Sequence, residues 1–247
     1  MKFVQHIPNT ITVLNLVSGM MSLIMTMEGA YAPAAFFIFL AAVFDFFDGM
    51  SARLLKAYSD LGKQLDSLAD VVSFGVAPGL MMFRMISVPV EGAVNILEQL
   101  HVTPYFALMI PVCSALRLAK FNIDLRQEVH FIGLPTPANA IFFASIPLVL
   151  YVQPGMSSLV SLPVFVDFFS NTRVMAILSV FFSYLLISDF RIFSLKFKST
   201  GWKGNQLQYT LIGISALLFI LFSLNALPLI IIVYVLMSVL FQGRITG

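Results

Sequence analysis

Eight apolar stretches, each close to the length that crosses a bilayer, leave this chain little choice but to fold as membrane helices. A spanning helix needs about 20 predominantly apolar residues, fewer where neighbours bury part of it. The stretches run over 11–27, 32–50, 67–86, 105–121, 135–152, 173–189, 208–224 and 227–242. Only 11% of residues are charged, against about 25% in soluble domains. The expected fold class is all-α integral membrane: a bundle of about eight transmembrane helices forming one domain over 1–247. Asn225-Ala226 before Pro228 predicts a tight helical hairpin between the last two spans. The first eight residues are weakly amphipathic and predict a short interfacial helix or a loose tail.

An even span count places both termini on one side, and the basic residues say which. Lys2, Arg53, Lys56, Lys63, Arg117, Lys120, Arg126, Arg191, Lys196, Lys198, Lys203 and Arg244 collect on that side. Only Arg84 and Arg173 fall at the opposite ends of spans. Cytoplasmic loops carry the excess of Lys and Arg, so both termini are expected in the cytoplasm of a cell whose inner membrane holds the chain. Asn9, Thr10, Thr12, Asn15 and Ser18 interrupt the first apolar run, which reads as a span rather than a cleaved leader.

Several functions are disfavoured at once. A net charge of +2 gives no electrostatic case for a nucleic-acid partner. One cysteine, Cys113, rules out an intrachain disulfide and a Cys-rich metal site. His6, His101 and His130 lack zinc-ligand spacing.

The acids are distributed very differently. Of eight aspartates, Asp45, Asp48, Asp60, Asp66 and Asp70 share one 26-residue window, 45–70. An acid inside a membrane helix costs about 2.5–3.5 kcal/mol on insertion scales and is a functional candidate by default. Residues three and four apart share a helix face, so Asp45 pairs with Asp48 at one span end and Asp66 with Asp70 at the next span's start. The short loop between them makes the helices antiparallel neighbours. Four converging carboxylates repel one another unless cations intervene, and hard oxygen donors suit Mg²⁺ or Mn²⁺. Gly49 and Ala52 leave backbone bare beside the acids, for a ligand or for another helix. Arg53 can grip phosphate oxygens bidentately.

In full the window reads Asp45-x2-Asp48-Gly49-x2-Ala52-Arg53-x8-Gly62-x3-Asp66-x3-Asp70. This resembles, at every fixed position, the signature of the CDP-alcohol phosphotransferases. The resemblance implies two divalent ions held by Asp45, Asp48, Asp66 and Asp70, with Asp70 also the general base. It implies a cytidine diphosphate beside Gly49, Ala52, Arg53 and Gly62, and a homodimer. The motifs that follow, Asp70-Val71-Val72-Ser73-Phe74-Gly75, Arg117-Leu118-Ala119-Lys120-Phe121-Asn122 and Gly133-Leu134-Pro135-Thr136-Pro137, are similar to those of the family's phosphatidylserine synthase branch. That similarity covers about residues 1–140, the motif core, leaving the C-terminal spans over 173–242 matched only in number and hydrophobicity. It implies CDP-diacylglycerol and L-serine as substrates in a lipid membrane, with phosphatidylserine and CMP as products.

On this reading Asn9 and Thr12 face the nucleotide or cap the first helix. Asn15, Arg117, Lys120 and Asn122 are candidates for serine or phosphate, although Arg117 at a span end is also explained by snorkelling. Lys120 stands where the branch has arginine, keeping the charge and losing the fork. Two alternatives stand beside serine transfer. Another acceptor alcohol (glycerol phosphate, inositol phosphate or an amino alcohol) could use the same machinery, although Val71 after the final acid differs from the cation usual there in the first two. Intramembrane acids also serve cation transporters, but those place sites near the midplane, often within repeats, and no repeat is visible.

Overall fold

The computed structural model describes residues 2–87, 102–123, 131–151, 163–193, 201–202 and 204–241. Arg126, Lys196, Lys198, Lys203 and Arg244 of the basic set lie outside these residues.

The described chain is helical almost throughout. Helices α1 (Lys2–Met27) and α2 (Tyr31–Leu54) lead into α3 (Asp60–Asp70), a π-helical turn over Val71–Val76, and α4 (Ala77–Ile86). A 3₁₀ turn (Thr103–Leu108) opens α5 (Met109–Ile123), followed by α6 (Thr136–Tyr151), α7 (Pro163–Ser170), α8 (Thr172–Ile187), α9 (Gln206–Phe222) and α10 (Ala226–Leu240). A two-residue antiparallel ribbon, β1 (Phe131–Ile132) with β2 (Arg191–Ile192), pairs Phe131 with Ile192.

All eight apolar stretches emerge as helices, yet length divides them. Among the described residues five helices are long and apolar enough to cross a membrane, or six if α7 and α8 count as one span bent by 79°. Helix α6 has 16 residues, and the continuous stretch Gln206–Leu240, one of the five, is interrupted at Ser223, whose φ is 53°. Its two halves have 17 and 15 residues. At 1.5 Å per residue such pieces rise only about 23–26 Å, below the ~30 Å hydrocarbon core. Helix α7 was expected as loop. Asn171 explains its separation from α8, because the Asn171 side chain accepts the N–H groups of Arg173 (3.0 Å) and Val174 (3.4 Å) and starts a new helix. At the other end of the chain, α1 runs from Lys2 through Pro8 into the first span without a break.

Small residues decide how closely the helices approach. A side chain on Gly79 would meet Pro111 at 2.6 Å, and one on Gly75 would meet Ser114 at 3.1 Å. The two glycines therefore bring the α3–α4 rod onto α5. Gly19 on α1 likewise leaves room only for Ser73, and Ser73 donates to the Asn15 carbonyl at 3.0 Å. Phe142, Phe143 and Phe182 fill the centre between α6 and α8, with Phe142 stacked on Phe182 at 3.9 Å.

Candidate active site

The acids meet because the chain reverses sharply after α2. Lys56 takes a left-handed conformation (φ 50°), and the Ala57 N–H donates to the Ala52 carbonyl at 3.0 Å, a helix-terminating pattern of the Schellman kind. Ser59 then caps α3, its hydroxyl accepting the Gly62 N–H at 3.0 Å. Helix α3 thus begins seven residues before the expected apolar stretch. Asp66 therefore sits inside the helix, not at its cap. Asp60 occupies the first turn, where an acid favours the helix dipole.

Carboxylate oxygens of Asp45, Asp48 and Asp66 all lie within 4.8 Å of one another. Asp48 is buried and Asp45 and Asp66 are half-buried. Asp48 Oδ2 and Asp66 Oδ1 are shut from solvent without any hydrogen-bond partner. Three anions this close, with bare oxygens turned inward, match the donor set of a hard divalent cation. Asp70 stands outside that trio. Its Oδ1 accepts from the Asn15 amide at 3.2 Å, and it remains near enough for the charges of Asp45, Asp66 and Asp48 to act on it.

The other expected contacts sort into three groups. Thr12 reaches the acids: its hydroxyl, 3.1 Å from the Pro8 carbonyl, is also a hydrogen-bond neighbour of Asp48. Gly49 has open space where a side chain would project, with nothing within 4 Å, so a flat ligand has room beside the acids there. Ala52 is half-buried and Arg53 exposed at the end of the same helix.

Gly62 and Asn9 instead face each other. A Cβ on Gly62 would lie 2.9 Å from Asn9 Oδ1 and 3.0 Å from Ser59 Oγ, so glycine here lets the Asn9 side chain of α1 come close to α3.

Arg117 departs most from a surface cation. It is 5% exposed, donates among the described residues to Thr136 Oγ1 at a long 3.5 Å, and leaves Nε without a partner there. Its charge acts on Asp70. The Asn122 side-chain amide donates to Ser67 Oγ at 2.9 Å, and its backbone carbonyl accepts from Lys63 at 3.4 Å. That clasp ties α5 to the residue after Asp66. Lys120 is exposed.

Asn139, one turn after Thr136 on α6, is fully buried with both amide atoms unpartnered. Tyr234, from α10, lies within electrostatic reach of Arg117 and donates to the Phe193 carbonyl at 3.1 Å. Nothing in the spacing of the C-terminal spans pointed to it. The loop before α6 is stitched to the end of α8, Gly133 N–H to the Phe190 carbonyl (2.8 Å) and Leu134 N–H to the Leu185 carbonyl (2.9 Å). This fixes where α6 presents Thr136 and Asn139.

Comparison with known proteins bears on this arrangement. A family model described as CDP-alcohol phosphatidyltransferase matches residues 5–185. A CDP-diacylglycerol–serine O-phosphatidyltransferase of Bacillus subtilis is 33% identical over 190 residues, covering 75% of this chain and 89% of that protein. An enzyme of the same name from Mycobacterium leprae is 37% identical over 145 residues, 56% of this chain and 45% of that one. An archaetidylserine synthase of Methanothermobacter thermautotrophicus is 35% identical over 142 residues, 56% of each. The chain thus spans about half the length of the latter two.

Proposed function

Because the chain belongs to the CDP-alcohol phosphatidyltransferase family, we propose that it transfers the phosphatidyl group of CDP-diacylglycerol to L-serine, giving phosphatidylserine and CMP. The observation that carries this reading is the juxtaposition of three parts. A trio of carboxylates within 4.8 Å stands beside open space at Gly49. Asp70 is oriented by Asn15. A buried, under-satisfied Arg117 lies in reach of Asp70.

In this mechanism Asp45, Asp48 and Asp66 would hold one divalent ion, and Asp70 would complete a two-ion site with them. Mg²⁺ or Mn²⁺ there would supply charge neutralisation for the diphosphate and the CMP leaving group. The cytidine diphosphate lies along Gly49 and Ala52, with Arg53 and Thr12 at its edge. Asp70 accepts the proton of the serine hydroxyl, which requires an approach to hydrogen-bond distance. The hydroxyl oxygen forms a bond to the phosphorus that carries diacylglycerol, and the bond from that phosphorus to CMP breaks. Asn15 holds the Asp70 carboxylate in one orientation throughout, and Arg117 receives the acceptor's anionic group.

The location follows from the donor's shape. Its acyl chains remain in lipid, while nucleotide and serine arrive from water at the helix ends. We place that opening on the cytoplasmic side of an inner membrane, with eight spans and both termini there, because the basic residues of the sequence, Arg53, Lys56, Lys63, Arg117 and Lys120 among them, collect at the span ends on the side that carries the acids. A homodimer is part of the same reading through the family resemblance.

The test supplies labelled serine and CDP-diacylglycerol to purified protein. Label entering lipid with stoichiometric CMP, lost on adding chelator, supports the reading. Transfer to glycerol phosphate or inositol phosphate in place of serine overturns the acceptor.

A further inference from the structure

Unsatisfied polar atoms concentrate around one centre of this molecule. Of ten such buried side-chain atoms among the described residues, six belong to Asn15, Asp48, Asp66, Arg117 and Asn139. The acids await cations, but Asn139 needs something else. It is 0% exposed, so solvent satisfies neither its Nδ2 nor its Oδ1. A buried polar group without a partner is costly, and two bare atoms on one side chain compound that cost. Asn139 lies three residues beyond Thr136, the residue that Arg117 contacts, and residues at this spacing share a helix face.

The bare atoms define a chemistry. Arg117 Nε and Asn139 Nδ2 are donors and call for an anionic oxygen pair; Asn139 Oδ1 is an acceptor and calls for an N–H or O–H. A carboxylate answers the first two, and an adjacent ammonium answers the third. Resting on the serine-transfer reading, we propose that Asn139 is a specificity-determining residue that, with Arg117, binds the carboxylate and α-ammonium of a free amino acid acceptor. Arg117 and Asp70 keep a little exposed surface (5% and 7%), and the head group enters past them to meet the Asn139 amide. An amine without the carboxylate, or a hydroxy acid without the amine, leaves one of these buried groups unpaired. Sites built this way reject the analogue lacking the group strongly.

The experiment compares wild type, Asn139→Leu and Asn139→Asp with L-serine, ethanolamine and glycerate as acceptors, and measures binding of labelled CDP-diacylglycerol without acceptor. Asn139→Leu should raise the KM for serine about 10- to 100-fold while donor binding stays near wild type and Tm does not fall. Asn139→Asp, nearly isosteric and usable even where leucine does not fold, should move preference from serine toward ethanolamine, because its carboxylate repels the acceptor's carboxylate and attracts the ammonium. An unchanged serine KM in Asn139→Leu overturns the proposal, as does an unchanged serine-to-ethanolamine ratio in Asn139→Asp. Wild type that binds donor yet never transfers to serine overturns the function itself, and the wild-type assay alone reveals it.

Discussion

The Asn15 amide donates to the Asp70 carboxylate at 3.2 Å across 55 residues of sequence, joining the first span to the last residue of α3. Asn15 also anchors the backbone just beyond, since its carbonyl accepts from Ser73 at 3.0 Å. One residue of α1 thus fixes both Asp70 and the π-helical turn that follows it. Such turns recur at functional sites because they re-aim the residues around them. Replacing Asn15 with alanine removes the one side-chain donor seen on Asp70, and a hydrogen bond to a charged group contributes about 1.5–3 kcal/mol. We expect kcat to fall about 10- to 100-fold, with binding of CDP-diacylglycerol retained. Steady-state kinetics on the purified variant at wild-type turnover would remove Asn15 from the mechanism.

Asp70→Asn keeps the shape and the Asn15 neighbour but has no basic oxygen to accept a proton. General-base contributions amount to about 10²–10⁴-fold, so turnover should drop by at least that much. Donor binding, measured with labelled CDP-diacylglycerol, should weaken only modestly. A rate equal to wild type would exclude Asp70 as the base.

The carboxylate trio makes opposite predictions for stability and for activity. Asp45, Asp48 and Asp66 repel one another when no cation lies among them. Asp66→Asn should therefore raise Tm in chelator, while abolishing both the Tm increase on adding Mn²⁺ and the transfer reaction. Thermal unfolding with and without Mn²⁺ measures both. A variant less stable in chelator, yet stabilised by Mn²⁺ as fully as wild type, contradicts the assignment.

Two glycines separate ligand room from packing room. Gly49 borders open space and Gly79 lies against Pro111. Gly49→Val should fold with near-native Tm and lose affinity for CDP-diacylglycerol. Gly79→Val should lower stability by about 1–3 kcal/mol, the usual cost of overpacking. Equal Tm losses in the two variants would mean that Gly49 serves packing as well.

Arg117→Lys preserves the charge and removes the planar fork. Its Nε has no partner before the acceptor arrives, so the loss should fall on the KM for serine and leave donor binding intact. Competition between serine and labelled donor in the variant checks this separation.

Much of the site was legible because helical periodicity is local. The i, i+3 and i, i+4 spacing of Asp45 with Asp48 and of Asp66 with Asp70 puts each pair on one face whatever surrounds it. Bare backbone at Gly49 was legible in the same way. Gly62 was less so: its partner, the Asn9 side chain, is brought in by another helix. Asn122 resembled a ligand residue in sequence, and its contact with Ser67 depends on another helix. Tyr234 carried no signal, because a single polar residue in an apolar run does not announce what lies opposite.

What the sequence by itself determined is a membrane helix bundle with a cluster of acids at adjoining span ends. Apolar length and residue spacing act over a few turns and need no knowledge of neighbours. Only the tertiary structure decided that Asp70 leans on Asn15 rather than joining the closest trio, that Arg117 is buried against Thr136, and that Asn139 is buried with its amide unpartnered. Those choices depend on how far α1, α5 and α6 slide and rotate against α3, which Gly19, Gly75 and Gly79 set by allowing close approach. Side chains tens of residues apart acquire partners only once that packing is fixed.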